Sequence, residues 1–497
     1  MAIILIGERP GLNTAESLSA YLIYRPNEKT VEADRTVISN IHEKGLTSSE
    51  AGAYLSELVE QMLHFESTGV TFMRKKNNKL IYWGLFMELI GVVIVYIIMT
   101  CAVFGALAAI RDADNGLGKE FMSGLHAVGH IFVPAAGIMA SIPYLTIFIE
   151  KVVSPVFHKI GADPAIAATT ILASDMGGYQ LANALKDSYE GWIMALIVGF
   201  MAGATIVFSI PMGLAMLDKR DHKYMALGIM AGVLTIPIGA FISAIMISLF
   251  DTKVREIITT SGEPTYLYSI SILQILINLA PLFVFVILIA LGLKFLPNMM
   301  ISGFMIFGRI LDAGIKLVLV FSIVEIFTGL FSTLFGSWGF DPIMADAEDQ
   351  FRALETAGYI GIMLAGAFPM VYLIRKYFAK PLESVGGKLG LSAVGSAGLL
   401  ATIANILAMF TLVRDMPPKD KVVNISFGVC AAFLLGDHLS FTANFQPTII
   451  LPVIVGKLLA GIIAIWLAYK LSVPTALKLE IQDREAGIIK PNEYKGA

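Results

Sequence analysis

One uncharged stretch restricts the possible folds of this chain more than any other feature does. Residues 89–110, 22 in succession, include no Asp, Glu, Lys, Arg or His. About 20 apolar residues in a helix are enough to cross a hydrocarbon core ~30 Å thick. Of the whole chain, 56% is hydrophobic and 15% is charged, whereas about a quarter of the residues are charged in soluble domains. The chain is therefore predicted to be a membrane protein whose first transmembrane helix is 89–110.

Further apolar segments follow this helix, separated by short polar breaks. Together they predict an all-α polytopic membrane protein with ten or eleven transmembrane helices. The residues before the first helix have a different pattern, in which a strand at 2–7 and an amphipathic helix at 48–66 predict a small cytoplasmic α/β fragment. The later apolar segments lie at 122–149, 164–185, 191–217, 224–250, 267–293, 301–335, 357–374, 391–413, 422–440 and 448–469.

The charges of the loops predict their sides of the membrane. Basic residues are retained in the cytoplasm, and no secretory signal is recognisable, so a basic cluster before the first helix predicts a cytoplasmic amino terminus in the inner membrane. The basic loop 218–223 is then inside and the acidic loop 341–355 outside. Loop 414–421 is basic although the count places it outside, which predicts a re-entrant or broken segment in the second half. The basic cluster comprises Arg74, Lys75, Lys76 and Lys79.

Two similar stretches predict an internal repeat. Residues 137–161 and 361–390 each contain Gly-Ile-Met followed by two prolines, and a segment rich in small residues follows each, at 165–185 and 392–413. Repeats with helices interrupted by Gly, Pro or polar residues are typical of transporters, whose sites lie near mid-membrane between the repeats. Chance similarity between apolar segments is the alternative. The prolines are Pro143 and Pro155, and Pro369 and Pro381.

Two motifs place a carboxylate inside an apolar segment, ILASDMGGYQLAN at 171–183 and FLLGDHLSFTANFQP at 433–447. An ionised group at membrane depth costs at least ~2.5 kcal/mol and normally faces a cavity or a partner. Asp175 and Asp437 are therefore the leading functional carboxylates, and the adjacent glycines would let the helices unwind and free backbone carbonyls for a cation. The alternative is that each Asp caps a half-helix or pairs with a basic group.

Other polar residues of these segments are candidates to line the same cavity. His438 would relay a proton or bind a substrate hydroxyl, unless a backbone carbonyl holds it. Amides also bridge packed membrane helices, which is the alternative for the Asn and Gln residues. The predicted substrate-binding residues are Asp175, Gly177, Gly178, Asn405, Asp437, His438 and Asn444, with Gln180, Asn183, Thr442 and Gln446 in support.

Several classes of function are disfavoured by what the sequence lacks. Cys101 and Cys430 both lie in apolar stretches, so neither a disulfide framework nor a metal site is expected. No phosphate-binding Gly-x-x-x-x-Gly-Lys-Ser/Thr motif occurs, so ATP hydrolysis by this chain is not expected to drive transport. No nucleic-acid partner is expected.

The long motifs resemble the ethanolamine permease family, EutH. The resemblance extends from about Met87 to about 470. It is carried by three stretches, which are SDMGGYQLA, LLGDHLSF and residues 204–239, ATIVFSIPMGLAMLDKRDHKYMALGIMAGVLTIPIG. It implies that this part of the chain is a permease and that ethanolamine is its substrate. Transport would be that of a secondary carrier or facilitator, and no cofactor is expected for it.

The preceding residues resemble a different family, the small subunit of ethanolamine ammonia-lyase, EutC. Residues 6–46, IGERPGLNTAESLSAYLIYRPNEKTVEADRTVISNIHEKGL, are similar to the carboxy-terminal end of that subunit. The resemblance implies an adenosylcobalamin contact at Glu8 and the lyase large subunit as a partner. A second family contact is a Cys after ADRT, where this chain has Val37. A fragment of about 70 residues makes a small core, so no lyase activity is expected from this chain alone.

These resemblances predict a fused chain and leave two function hypotheses. One is transport of ethanolamine, which is mostly a cation at neutral pH, across the inner membrane as part of ethanolamine utilisation. The other is a fusion protein whose amino-terminal part contributes to or recruits the lyase, unless that part is a passive appendage. The expected domains are the lyase-like fragment 1–74, a basic linker 75–86, the transmembrane permease 87–472 and a polar tail 473–497.

Overall fold

The amino-terminal residues form a small antiparallel sheet and a helix. In the computed structural model, which describes residues 1–7, 17–28, 30–490 and 493–494, the strands β1 (Ala2–Gly7), β2 (Leu18–Ile23) and β3 (Thr36–Ile41) lie in the order β1-β2-β3. Helix α1 (Ser48–Phe65) follows, and its cap is Thr47, whose hydroxyl accepts the N–H of Glu50. This unit has a core of its own, formed by Ala20, Leu22, Ile38, Ile41, Ala51, Leu58, Met62 and Phe72.

The chain divides into two units, Met1–Phe86 and Met87–Ala497, and the second consists largely of helices. The boundary falls within helix α2 (Gly69–Arg111). The helices that follow are α3 (Gly116–Ala140), α4 (Ile142–Val152), α5 (Ser154–Ile160), α6 (Ala165–Ile171), α7 (Gly178–Leu185), α8 (Tyr189–Val198), a π-helix (Gly199–Ser209), α9 (Ile210–Met216), α10 (His222–Val233), α11 (Ile236–Leu249), α12 (Ile272–Phe295), α13 (Pro297–Thr328), α14 (Leu330–Phe335), α15 (Ala353–Lys388), α16 (Ala393–Ala404), α17 (Ile406–Val413), α18 (Pro418–Ala431), α19 (Asp437–Phe445), α20 (Ile450–Leu471) and α21 (Val473–Glu485). A two-stranded ribbon, β4 (Lys253–Val254) and β5 (Tyr266–Leu267), joins α11 to α12.

Seven helical stretches in the described part of the chain are long and apolar enough to cross a membrane. The predicted all-α polytopic fold with a small α/β fragment is thereby confirmed. The stretch formed by α8, the π-helix and α9 lies at the centre, since 89% of its most apolar window is buried, against 22% for the stretch within α2. The seven stretches are Leu89–Arg111, Gly116–Ala140, Tyr189–Met216, Lys219–Leu249, Ile272–Phe295, Ala353–Phe378 and Pro447–Leu471.

The sequence predicted ten or eleven transmembrane helices, and four of the predicted segments are not among the seven stretches. The segments 164–185, 391–413 and 422–440 are each interrupted, and the halves of each are too short to cross a bilayer alone. The segment 301–335 lies mostly in α13, which is long but carries several charges. These are Arg309, Asp312, Lys316 and Glu325.

Two of the interrupted segments are helical hairpins whose ends lie together. In the first, α6 and α7, Asp163 precedes α6 and its carboxylate accepts the N–H and hydroxyl of Ser188, which follows α7, both at 2.9 Å. In the second, α16 and α17, the N–H of Ser392 before α16 donates to the carboxylate of Asp420 after α17 at 2.8 Å. Each hairpin therefore returns to the end of the helix bundle from which it starts.

The two hairpins enter the bundle from opposite ends. The central stretch Tyr189–Met216 begins beside Ser188, at the mouth of the first hairpin, and leads to Asp221. The carboxylate of Asp221 pairs with Lys421 Nζ at 2.6 Å, at the mouth of the second hairpin. The basic loops 218–223 and 414–421 thus lie at the same end of the bundle. A re-entrant second hairpin therefore removes the conflict between the charge of loop 414–421 and its predicted side. Opposite entry is the arrangement of an inverted repeat.

The prolines of the predicted repeat have different effects in its two copies. Pro143 and Pro155 each lie in the first turn of a short helix, α4 and α5, where the missing N–H costs nothing. Pro369 and Pro381 lie inside the continuous helix α15. The small-residue segments that follow the prolines are the two hairpins. The helix-break-helix pattern occurs in both copies, and the repeat itself stays a prediction.

Candidate functional site

The break in the first hairpin is a tight turn that carries Asp175. A 3₁₀ turn, Ser174–Met176, separates α6 from α7, and Gly177 follows it with φ +96°. Glycine is the residue that adopts such a φ without strain. A Cβ on Gly177 would also lie 2.8 Å from the side chain of Met139. The first glycine after Asp175 is therefore required both by the turn and by the helix packed against it.

A second break, between α18 and α19, crosses the tip of the second hairpin. The N–H of Leu435 donates to the carbonyl of Ile403 at 3.0 Å. The N–H of Phe433 makes a similar bond to the carbonyl of Thr402 at 3.3 Å. The backbone of the break is therefore bonded directly to the last residues of α16, where the second hairpin turns.

The same contact positions the second carboxylate. Gly436 lies so close to the hairpin that a Cβ there would be 2.4 Å from the carbonyl oxygen of Ala404, the last residue of α16. Asp437 follows Gly436 directly and is the first residue of α19. The carboxylate-bearing residue is thereby held next to the tip of the second hairpin.

The π-helix lies between these two breaks and brings them together. On one side, the Ser174 hydroxyl beside Asp175 donates to the carbonyl of Leu196, in the turn of α8 that precedes the π-helix, at 2.8 Å. On the other side, the ring of Phe200 packs against the ring of His438 with centroids 4.5 Å apart. The turn Ser174–Met176, which carries Asp175, also contacts α19, whose first residue is Asp437. The structure therefore unites the two carboxylates that the sequence places in separate halves.

Several buried polar atoms of this region have no hydrogen-bond partner among the described residues. Asp175 is 4% exposed and its Oδ1 is unpartnered, as is Nδ1 of His438, which is 2% exposed. The hydroxyl of Ser440, two residues after His438, is also buried without a partner. An unsatisfied buried polar group costs about 1–3 kcal/mol. An acceptor, a ring nitrogen and a hydroxyl are therefore free to bind a small polar ligand.

Aromatic rings surround the same polar groups. Phe433 packs on His438 with centroids 5.3 Å apart, and Phe441 contacts Phe200 edge-on at 5.8 Å. Tyr179, in the first turn of α7, meets Phe441 edge-on at 5.4 Å. The faces of aromatic rings attract cations, above all organic ammonium groups. A polar site with aromatic rings around His438 is chemically suited to an organic ammonium.

The two predicted amide side chains, Asn405 and Asn444, already form hydrogen bonds with backbone groups of the protein. Asn405 lies at the tip of the second hairpin, where its Oδ1 caps α17 by accepting the N–H of Leu407 at 2.8 Å. Nδ2 of Asn444 donates to the carbonyls of Tyr359 and Ser440, at 3.1 and 2.8 Å. These contacts favour the packing alternative for both side chains, which are near the breaks but already bonded.

The four supporting candidates have individual contacts. Nε2 of Gln446 donates to the hydroxyl oxygen of Tyr179 at 2.9 Å, and Thr442 donates to the carbonyl of His438 at 2.7 Å. Asn183 accepts from the nearby Lys186. Nε2 of Gln180 donates to the hydroxyl of Thr356 at 3.4 Å, while its Oε1 is buried with no partner in the described part of the chain.

Lys457 is a buried charge that the sequence reasoning missed. It lies in α20, is completely buried, and its Nζ donates to the carbonyl of Phe200 at 2.7 Å. Its ammonium also interacts electrostatically with Asp175. The signal was available, because a lysine inside the apolar run 448–469 meets the same criterion that singled out the two aspartates.

The membrane part of the chain is similar to known permeases. The family model described as "Ethanolamine utilisation protein, EutH" matches residues 90–471. A probable ethanolamine permease EutH of Listeria monocytogenes is 38% identical over 377 residues, which are 76% of this chain and 92% of that protein. A probable ethanolamine permease EutH of Escherichia coli is 39% identical over 382 residues, 74% of this chain and 89% of that protein. No solved structure matches the chain.

The amino-terminal unit is similar to part of an enzyme subunit. The family model described as "Ethanolamine ammonia-lyase light chain (EutC)" matches residues 1–73. The ethanolamine ammonia-lyase small subunit of Clostridium perfringens is 55% identical over 67 residues, which are 14% of this chain and 23% of that protein. The similarity thus covers less than a quarter of that subunit.

Proposed function

Because this chain belongs to the EutH family of ethanolamine utilisation proteins, we propose that it transports ethanolamine across the inner membrane as a secondary carrier or facilitator. The observation that carries the proposal is the pair of carboxylates, Asp175 and Asp437, each at a helix break, with the turn of Asp175 in contact with α19. Ethanolamine is mostly protonated at neutral pH and crosses hydrocarbon poorly as a cation. A buried anionic site supplies the interaction that lipid cannot. The proposed transport uses no cofactor.

The polar groups of the site divide naturally between the two ends of this substrate. The ammonium group binds the carboxylates within the ring of aromatic side chains, and the hydroxyl group bonds to His438 or to the Ser440 hydroxyl. Gly177 and Gly178 shape the turn that presents Asp175. Asn405 and Asn444 hold the breaks in position through the bonds that they make to backbone groups.

The distribution of charge supports one orientation of the protein. The end of the bundle at the second hairpin carries the basic loops 218–223 and 414–421, and basic loops are retained in the cytoplasm. The end at the first hairpin carries acidic residues, Asp163, Asp187 and Glu190 among them. In the proposed orientation the second hairpin therefore opens to the cytoplasm. The predicted cytoplasmic amino terminus does not fit this orientation, because the two crossings Leu89–Arg111 and Gly116–Ala140 place the start of the first crossing at the end of the bundle where the first hairpin opens.

Substitution of the two carboxylates tests the proposed site. We expect Asp175→Asn and Asp437→Asn each to reduce uptake of labelled ethanolamine at neutral pH at least tenfold, because the amide retains the shape but not the charge. Asp312→Asn is the matched control, since Asp312 is 61% exposed and pairs with Lys316 at the surface. Normal uptake by both site variants would refute the assignment, provided that the wild-type protein transports ethanolamine.

A second function is suggested for the amino-terminal unit, recruitment of the lyase large subunit to the membrane. The supporting observation is that the unit has its own buried core and is 55% identical to lyase small subunits. Of the two cobalamin contacts that the resemblance implies, Glu8 lies outside the described residues, and Val37 lacks the thiol of the family's Cys. No catalytic step is proposed for this unit.

Removal of the unit tests whether transport depends on it. We expect a protein that begins at Met87 to take up ethanolamine at the rate of the full chain, because the family match begins at 90 and the two units have separate cores. The same two proteins, immobilised, are offered purified lyase large subunit. Capture by the full chain alone establishes recruitment, and capture by neither removes this second function. Loss of uptake by the shortened protein would contradict the expected independence.

A further inference from the structure

We propose that Lys457 sets the charge of the site by neutralising Asp175, which leaves Asp437 as the acceptor of the substrate ammonium and restricts the site to a single positive charge. This inference rests on the proposed function and deepens it. It assigns different tasks to two carboxylates that the sequence cannot distinguish. It also gives a task to a buried lysine that transport of a cation does not obviously need.

The position of Lys457 is the first observation. Its side chain is completely buried in α20, yet its ammonium donates to a peptide carbonyl, that of Phe200, rather than to a carboxylate in the described part of the chain. A lysine ammonium has three N–H donors. A buried cation that makes one neutral hydrogen bond is costly unless a nearby anion compensates it. Asp175 is that anion, because Gly199, the residue before Phe200, lies against Ser174, the residue before Asp175. A Cβ on Gly199 would be 2.1 Å from the Ser174 hydroxyl, and Lys457 and Asp175 attract each other electrostatically.

The surroundings of the two carboxylates differ. Asp175 has an attractive interaction with Lys457, whereas the charged neighbour of Asp437 within the described chain is Asp175, which repels it. Asp437 is also the first residue of α19, so the positive end of that helix dipole favours its ionised form. Asp437 is therefore a carboxylate at a helix start that has no cationic partner among the described residues. It is the better acceptor for an ammonium group that comes from outside.

The charge balance then defines the ligand. Two ionised carboxylates and one protonated lysine, with His438 neutral, leave one net negative charge. A monovalent ammonium neutralises this charge, and the neighbouring imidazole and hydroxyl groups accommodate its polar tail. A dication would leave an uncompensated positive charge in a buried site, which is strongly unfavourable. Lys457 is thus a specificity-determining residue that selects monoamines over diamines.

Combined substitutions test the division of tasks. Asp175→Asn alone leaves Lys457 uncompensated beside the site and should repel the substrate. Adding Lys457→Met removes that charge and leaves Asp437 intact, so we expect uptake of ethanolamine by the double variant to exceed that of Asp175→Asn at least tenfold. The matched control is Asp437→Asn with Lys457→Met, which has the same net charge but lacks the proposed acceptor and should stay inactive. Equal recovery by both double variants, or recovery by neither, would overturn the proposal.

A change of specificity separates this task from a purely structural one. Lys457→Met with both carboxylates intact has one additional negative charge, so we expect ethylenediamine, which is largely a dication at pH 6, to bind at least tenfold more tightly relative to ethanolamine than it does to the wild-type protein. Competition of both amines for labelled ethanolamine bound to purified protein in detergent measures the ratio. A variant that merely folds poorly loses both amines equally, and an unchanged ratio in folded protein overturns the proposal. If the wild-type protein binds no ethanolamine, it is the proposed function that fails.

Discussion

Gly177 shows at the level of a single residue how the backbone presents a functional carboxylate. Its φ of +96° ends the turn that holds Asp175, and the absence of a side chain allows Met139 to pack against it. A β-carbon at this position would meet two separate obstacles. One is conformational, about 1–2 kcal/mol for a left-handed backbone, and the other is the contact with α3.

A pair of glycine substitutions separates these obstacles. We predict that Gly177→Ala lowers the thermal stability and reduces ethanolamine uptake at least tenfold, because the turn has to shift. Gly262→Ala is the matched control, since Gly262 has a similar φ of +93° but no atom within 4 Å of an added Cβ. Thermal unfolding in detergent and uptake into vesicles are measured for both. Equal losses in the two variants would mean that the contact with Met139 contributes nothing.

Charge in an apolar segment was the most informative signal for single residues. The cost of an ionised group in lipid singled out Asp175 and Asp437, and the structure brings them together across the two halves. The same rule applies to Lys457 but was not applied to it. The bond from Asn444 to Tyr359 joins residues 85 positions apart, so the sequence alone contains no sign that this amide is already occupied.

At the level of helices, glycines predicted the breaks but not the π-helix. The N–H of Ile210 bonds to the carbonyl of Thr205, five residues back, and the widened turns place Gly199 and Gly203 against the break of the first hairpin. A Cβ on either glycine would lie 2.1 Å from an atom of that break. The Gly-x-x-x-Gly spacing indicates a close helix contact. The partner of that contact, and the π geometry that it accompanies, depend on the tertiary fold.

Proline was a weaker guide than glycine. The two copies of the predicted repeat have their prolines at the same spacing, yet the first copy is divided into α4 and α5 while α15 remains continuous. A proline prevents one backbone hydrogen bond, and tertiary packing decides whether the helix ends there or continues. Matching prolines therefore indicate related segments without predicting equal helix lengths.

For the whole molecule, hydropathy predicted the fold class, and the charges of the loops indicated that one apolar segment does not simply cross the membrane. Counting every apolar segment as a crossing placed the basic loop 414–421 on the side opposite to the other basic loops, and that conflict predicted a re-entrant or broken segment. The structure has a break there, between α16 and α17. The segment ends at the same end of the bundle where it starts because Ser392 and Asp420, at its two ends, are in contact. Such a contact cannot be read from hydropathy.

Chemical labelling tests the proposed arrangement of the hairpins in the membrane. In a protein whose buried Cys101 and Cys430 are replaced by Ala, we expect Lys388→Cys and Arg414→Cys, at the two ends of the second hairpin, to react with an impermeant maleimide only after the cells are permeabilised. Gly262→Cys, at the other end of the bundle, should react in intact cells. Reaction of positions 388 and 414 from opposite sides would mean that α16 and α17 cross the membrane.

The entry of the hairpins from opposite ends has a consequence for the direction of transport. If the predicted repeat is inverted, turning the bundle over exchanges the two hairpins, and the proposed site would be reached in the same way from either side of the membrane. A carrier of this kind has no built-in preference for import over export. Net movement of the amine is then decided by its supply on one side and its consumption on the other.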